Sequence, residues 1–219
     1  MSHPPTAIAR ASRPKVALPE QFGRLLAPFD LDVVDDEPST VYGLTEDLRL
    51  GYVNRAWSAF ANANGASWNE GAWGIGSRVM DAIPDVLRPF YAGLFAQALS
   101  ERAVVEHDYE CSSPTQLRRF RMRIHPCDSG ALLVVHSRIE EQLHTAAEHS
   151  RGALYGEADG LITQCSHCRR VQRVDGTREW DWVPEYVARP LPTISHGLCN
   201  LCVEYYYSNP EGSPGLFIA

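Results

Sequence analysis

Val105-Glu106-His107-Asp108-Tyr109-Glu110-Cys111, followed shortly by Arg119-Phe120-Arg121-Met122-Arg123-Ile124-His125, decides the fold of this chain. Each run alternates with period two, as a strand with one buried face must. Val105, His107, Tyr109 and Cys111 share one face of the first run, and Glu106, Asp108 and Glu110 share the other. In the second, Phe120, Met122 and Ile124 alternate with Arg119, Arg121 and Arg123. A hairpin centred near Pro114 and Thr115 sets Glu106 against Arg123, Asp108 against Arg121 and Glu110 against Arg119. On the opposite face it sets Val105 against Ile124, His107 against Met122 and Tyr109 against Phe120. Each opposite-charge pair across the strands contributes roughly 0.2–1 kcal/mol. A slip of one residue would mix the two faces, so the charge pattern fixes the register.

Working outward, Asp128-Ser129-Gly130 makes the next turn and Ala131 to Ser137 the next strand. Upstream, Thr40-Val41-Tyr42-Gly43-Leu44 and Leu48-Arg49-Leu50-Gly51-Tyr52-Val53 flank a Glu46-Asp47 turn and read as another hairpin. Asn54 is placed to cap a helix from Arg55 to Ala63, with Trp57, Phe60 and Ala61 facing inward and Asn64-Gly65 ending it. Trp68 to Gly76 reads as loop or broken helix. Val86, Leu87, Phe90, Tyr91, Leu94, Phe95 and Leu99 mark an amphipathic helix, with Pro89 in its first turn, where a missing N–H costs least. The order strand-strand-helix-helix-strand-strand-strand predicts an α+β domain, an antiparallel sheet with helices on one face, over residues 38–139.

The flanks read differently. Residues 1–37 form a Pro-rich and then acidic N-terminal tail. Residues 140–152 read as a helical linker, because Ile139, Leu143 and Ala147 make a weak apolar stripe at helical spacing. A connecting helix is one reading of it and a dimerising signalling helix the other.

Residues 153–219 carry two knuckles, Cys165-Ser166-His167-Cys168 and Cys199-Asn200-Leu201-Cys202. Each Cys-x-x-Cys turn aims two sulfurs at one point, and two turns supply the corners of the tetrahedron that zinc prefers. The long loop between them is no obstacle, since closure entropy grows slowly with length. Buried free thiols or two disulfides are the alternatives. His167, lying between two ligands, would be strained to bind the same ion. His196 is placed to support the site by hydrogen bonding, and Arg169 and Arg170 to offset the charge of a tetrathiolate centre. Trp180, Trp182, Val183, Tyr186, Val187 and Tyr205-Tyr206-Tyr207 read as the apolar mass of a module too small to fold unaided.

The net charge of −7 repels polyanions, and from Arg151 onward acids outnumber arginines, so nucleic acid is not an expected partner. No secretory signal and no apolar run long enough to cross a bilayer is visible, which points to a cytoplasmic protein with reduced thiols. No phosphate-binding glycine loop, kinase motif or catalytic-triad spacing is present, so no enzyme activity is expected.

Taken together, Val41-Tyr42-Gly43-Leu44, Tyr52-Val53-Asn54 and the aromatic helix that follows resemble a PAS domain over residues 38–139. That resemblance implies a five-stranded antiparallel sheet cupping a pocket used for sensing or for protein–protein signalling. Trp57, Phe60, Phe95, His107, Tyr109 and Cys111 are the candidate pocket residues. An unidentified small ligand could fill the pocket, or haem held by His107. The helix after Asn54 has no cysteine, which argues against flavin photochemistry of the light-sensing PAS type. The segment Cys165-Ser166-His167-Cys168-Arg169-Arg170, then Trp180, then Ser195-His196-Gly197-Leu198-Cys199-Asn200-Leu201-Cys202 is similar to one that follows PAS or receiver domains in bacterial signalling proteins. The expectation is a non-enzymatic bacterial signal-transduction protein, a PAS sensor or docking domain with a zinc module. It would act on a separate protein partner and could form a homodimer. A redox sensor working through the thiolates and a haem-binding gas or redox sensor are the alternatives.

Overall fold

A computed structural model of the chain describes residues 20–63, 74–127, 130–144, 150–156, 161–189 and 194–207. Its centre is a five-stranded antiparallel sheet. The strands are β1 (Thr40–Leu44), β2 (Leu50–Val53), β3 (Val105–Glu110), β4 (Gln116–Pro126) and β5 (Leu132–Leu143), in the order β2-β1-β5-β4-β3. The β3–β4 register is the one the charge alternation dictates, from Val105 opposite Ile124 to Glu110 opposite Arg119. Arg121 grips Asp108 at 2.7 Å and Arg123 grips Glu106. The third pair departs from expectation. Arg119 turns to Glu140 on β5, at 3.2 Å, and Glu110 turns toward Arg170, at 3.7 Å.

Two helices fill one side. Helix α3 (Arg55–Ala63) has Asn54 at its start, whose Oδ1 accepts from the Trp57 amide at 3.0 Å. The same oxygen accepts from the Val41 amide, and Nδ2 donates to the carbonyls of Glu37 and Ser39, so a fully buried Asn54 ties three segments together. Helix α4 (Arg88–Glu101) carries Pro89 in its first turn and buries Leu94, Phe95 and Ala98. These meet Tyr42, Leu44, Met122, Ile124, Leu132 and Val134 in the principal core.

The opposite face is covered too, which corrects the reading of residues 20–37 as tail. Helices α1 (Glu20–Leu25) and α2 (Leu31–Asp36) lie there. Leu26, wholly buried, packs with Val41, Tyr52, Ala131 and Leu133, supported by Phe29 and Val34. Residues 1–19 lie outside the described residues, as do Asn64-Gly65, most of Trp68–Gly76 and Asp128-Ser129.

The linker helix is also corrected. Ile139 and Leu143 belong to β5, which runs on beside β4 as Arg118 pairs with Glu141 and Arg119 with Glu140. Residues 145–149 lie outside the described residues. Beyond them comes a second, small sheet of β6 (Ile162–Cys165), β7 (Val171–Gln172), β8 (Trp180–Asp181) and β9 (Ile194–Gly197), ordered β8-β7-β6-β9 with β6 and β9 parallel. Helices α5 (Pro184–Ala188) and α6 (Asn200–Tyr207) complete it. Tyr155, Ile162, Val171, Val183 and Tyr186 form its core. Among the described residues no helix is long and apolar enough to cross a membrane.

Candidate metal centre and the cavity beside it

Cys165 is the last residue of β6, and Cys168 stands in the tight turn toward β7. The Arg169 amide donates to the Cys165 carbonyl at 3.1 Å, and Arg169 takes a left-handed backbone (φ 63°) to leave the turn. Cys199 immediately precedes α6 and Cys202 lies in its first turn. The parallel β6–β9 pairing places Cys165 beside Gly197, and the Ser166 amide donates to the Gly197 carbonyl. One knuckle on a hairpin and one at a helix start are thereby brought face to face.

The four sulfurs all lie within 4.8 Å of one another, and those of Cys168 and Cys199 are 3.6 Å apart. Bonds of about 2.3 Å to a tetrahedral zinc require sulfurs ~3.8 Å apart, so the donor set fits the ion. No cysteine in the chain is in a disulfide, and these four are buried. The thiols cannot titrate one by one. Hydrogen bonds from Cys168, Cys199 and Cys202 hold Cys165 far below the usual thiol range, and the same contacts push Cys168 and Cys202 far above it. A divalent cation that takes all four as thiolates displaces the protons the other sulfurs still carry.

The surroundings sort the neighbouring residues. Burial works against the charge on Arg170, but the Cys168 sulfur and Glu110 prevail and raise its pKa above the ordinary arginine value. Arg169 is exposed. Arg173 serves elsewhere, bonded to Asp181 and Glu179. His196 does not support the centre. It is exposed on β9, the edge strand of the small sheet, although its partner Gln164 is buried. His167 takes that place, with Nδ1 3.4 Å from the Cys202 sulfur and its ring edge-on to Tyr206. The sequence signal for it was simply its position inside the knuckle.

The module is docked on the sheet domain. Leu87 shares one buried cluster with the four cysteines and Tyr206, with Phe90 and Tyr91 of α4 packed against it. The Tyr205 hydroxyl donates to the Asp108 carbonyl at 2.7 Å and lies 3.2 Å from Nδ1 of His107. The Tyr207 hydroxyl donates to the Val86 carbonyl. Trp182 stacks on His144, just past the end of β5, with ring centres 4.6 Å apart.

Between the two regions lies a cavity of about 250 Å³. Tyr42, Tyr109, Met122 and His136 line it from the sheet, Tyr91 and Phe95 from α4. The module contributes Ser166, His167, Cys168 and Arg169. Of the candidate pocket residues, Phe95, Tyr109 and Cys111 reach this cavity. Trp57 is set edge-on against Tyr42 behind the wall, Phe60 is 38% exposed against Phe120, and His107 is buried beneath Phe90 and Tyr205. His107 therefore cannot offer haem a ligand there. Burial lowers its pKa to about 3 and keeps it neutral. The sequence reading missed Tyr42, Tyr91 and His136, although His136 shares its strand face with Leu132 and Val134.

The fold and the site define a PAS-like domain, with its five-stranded antiparallel sheet and flanking helices, carrying a docked four-cysteine module. No family model matches the chain and no curated protein matches it. Similar solved structures include a domain of an HTR-like protein from Haloarcula marismortui (15% identity, 48% of this chain and 100% of that one, TM-score 0.36). The PAS domain of Bordetella pertussis BvgS is another (16%, 56% and 88%, TM-score 0.41). A third is the photoactive yellow protein domain of a sensor histidine kinase from Rhodospirillum centenum (11%, 51% and 95%, TM-score 0.36). Likenesses this loose carry no functional weight.

Proposed function

We propose that the chain is a non-enzymatic bacterial signal-transduction protein working in the cytoplasm. Its PAS-like domain senses or docks, and Cys165, Cys168, Cys199 and Cys202 hold one structural zinc. The observation that carries this reading is the buried cluster in which the four sulfurs share a core with Leu87, Phe90 and Tyr91 of the PAS-like domain. A change in that domain has a direct mechanical route into the module. Zinc would supply folding energy, not chemistry, since all four corners of the tetrahedron are protein sulfur and no position is left for a substrate. Output then passes to a separate protein partner. Elemental analysis of the purified chain tests the metal, with about one zinc per chain expected of a closed four-ligand site. A folded, metal-free module would overturn it.

A redox role for the same thiolates is the second reading, favoured by how tightly the four sulfurs are gathered. A zinc-release dye during peroxide titration separates the two, because a purely structural site releases zinc only on unfolding.

A further inference from the structure

The first knuckle is at once part of the metal centre and a wall of the cavity. Cys168 is a proposed zinc ligand, and Cys168 with its neighbours Ser166, His167 and Arg169 closes the cavity on the module side. We propose that this cavity binds a small, neutral aromatic molecule, and that its binding and zinc occupancy are thermodynamically linked through the shared knuckle. The linkage rests on the zinc reading above.

Size sets the ligand class first. About 250 Å³ holds roughly eight waters at ~30 Å³ each, which suits a molecule of one or two rings. The walls are largely rings and aliphatic side chains, interrupted by hydrogen-bonded polar groups such as Ser112 with Glu110. The Tyr109 hydroxyl and Nδ1 of His136 are 2.7 Å apart, a phenol–imidazole hydrogen bond already in place. A hydroxyaromatic can add its own hydroxyl to that pair while its ring meets Tyr42, Phe95 and Met122. Net charge is disfavoured. Burial keeps Tyr42, Tyr91 and Tyr109 protonated and holds His136 neutral, with its pKa near 4. Glu110 is engaged by Ser112 at 3.0 Å and by Arg170 at 3.7 Å, and Arg169 is exposed to solvent. An ion carried inward past Arg169 would lose its water among groups that are neutral or already paired.

Linkage follows from who bears the cost of ordering the wall. Ser166 and His167 lie between two sulfur ligands, so a bound ion fixes the surface a ligand must meet. Without the ion, the ligand's own binding energy would have to order it. By reciprocity the ligand must raise zinc affinity by the factor by which zinc raises ligand affinity.

The test uses the full chain, 4-fluorophenol as probe and fluorine NMR as readout. Zinc-loaded protein is expected to bind the probe, and chelator stripping to raise its dissociation constant by about tenfold, within the ordinary range of coupling. In case stripping unfolds the module, the reciprocal measurement uses folded protein only. Competition against a zinc chelator should show tighter zinc binding with saturating 4-fluorophenol. Ala82→Phe, which fills the cavity from a lining residue outside the cysteine module, should abolish probe binding and keep one zinc per chain. A zinc-loaded chain that binds no probe, or equal zinc affinity with and without the probe, overturns the linkage and leaves the zinc reading standing. A chain that takes up no zinc overturns both.

Discussion

The PAS-like sheet and the cysteine module are held together by opposite means. In the sheet, strands as long as β4 and β5 alternate apolar and charged faces, and register, core and solubility all follow from one pattern. In the module, β7 and β8 are two residues each, too short for alternation to fix anything. There, on the zinc reading proposed above, four sulfurs do what alternation does elsewhere. The lesson is that a long strand specifies its neighbours by periodicity, whereas a small module needs a few residues of special chemistry placed at exact points in the chain.

The largest expected effect would break this comparison at the module. Cys165→Ser or Cys202→Ser should abolish zinc uptake and unfold residues 161–189 and 194–207, since structural zinc contributes roughly 10–16 kcal/mol of apparent binding energy in small domains. The sheet should persist, as followed by hydrogen exchange of the β1, β4 and β5 amides. Retained module protection in the zinc-free variant would show that aromatic packing suffices.

The reverse break is smaller. Ile124, wholly buried in the sheet's core, contributes packing alone. Ile124→Ala should destabilise the sheet by about 2–5 kcal/mol in urea unfolding, with zinc per chain unchanged under native conditions.

Acid sharpens the contrast from within the sheet. His136 has a pKa near 4 when folded because burial disfavours its charge, against 6.5 when exposed. The unfolded chain therefore binds more protons between those values. The stability contributed by neutral His136 is full above pH 6.5 and is lost progressively as pH falls toward 4, amounting to up to about 3 kcal/mol. Acid also threatens the thiolates, so the measurement is a difference: His136→Gln, which can still accept from Tyr109, should flatten the slope of unfolding free energy against pH in that window. Identical slopes would remove His136 from the account.

How much was legible follows the same division. The β3–β4 register could be read residue by residue because charge and apolarity alternate together. The gathering of four sulfurs could be read because it needs only residue type and spacing. The run-on of β5 was hidden by Ile139 and Leu143, whose spacing of four mimics a helix. Glu140 and Glu141, complementary to Arg119 and Arg118, were the signal that β4 had a longer partner. Helices α1 and α2 were hidden by Pro28 and the surrounding acids, although Leu25, Leu31 and Val34 on them, with Leu26 and Phe29 in the turn between, pack against the sheet. The cavity had no local signature at all, because its walls come from β1, α4, β3, β5 and the knuckle, and only the docked module brings the last of these into place.

That docking is where the smallest effect tells most. Tyr205 belongs to the module, yet its hydroxyl donates to the Asp108 carbonyl and approaches Nδ1 of His107, both on β3. Tyr205→Phe keeps the ring that packs against His107 and Tyr206 and removes only the hydroxyl. It takes from the Asp108 carbonyl its hydroxyl donor and from Nδ1 of His107 its hydroxyl neighbour in a partly buried interface, a loss of about 1–2 kcal/mol. If the regions were merely adjacent, the loss would be confined to their contact and neither would notice. If docking stabilises the module, β6 amides should exchange about tenfold faster in the variant, while those of β1 keep their protection. Unchanged exchange at β6 would mean that the sulfur centre holds the module without the sheet's help, and that the mechanical route between the two regions is not built through this tyrosine.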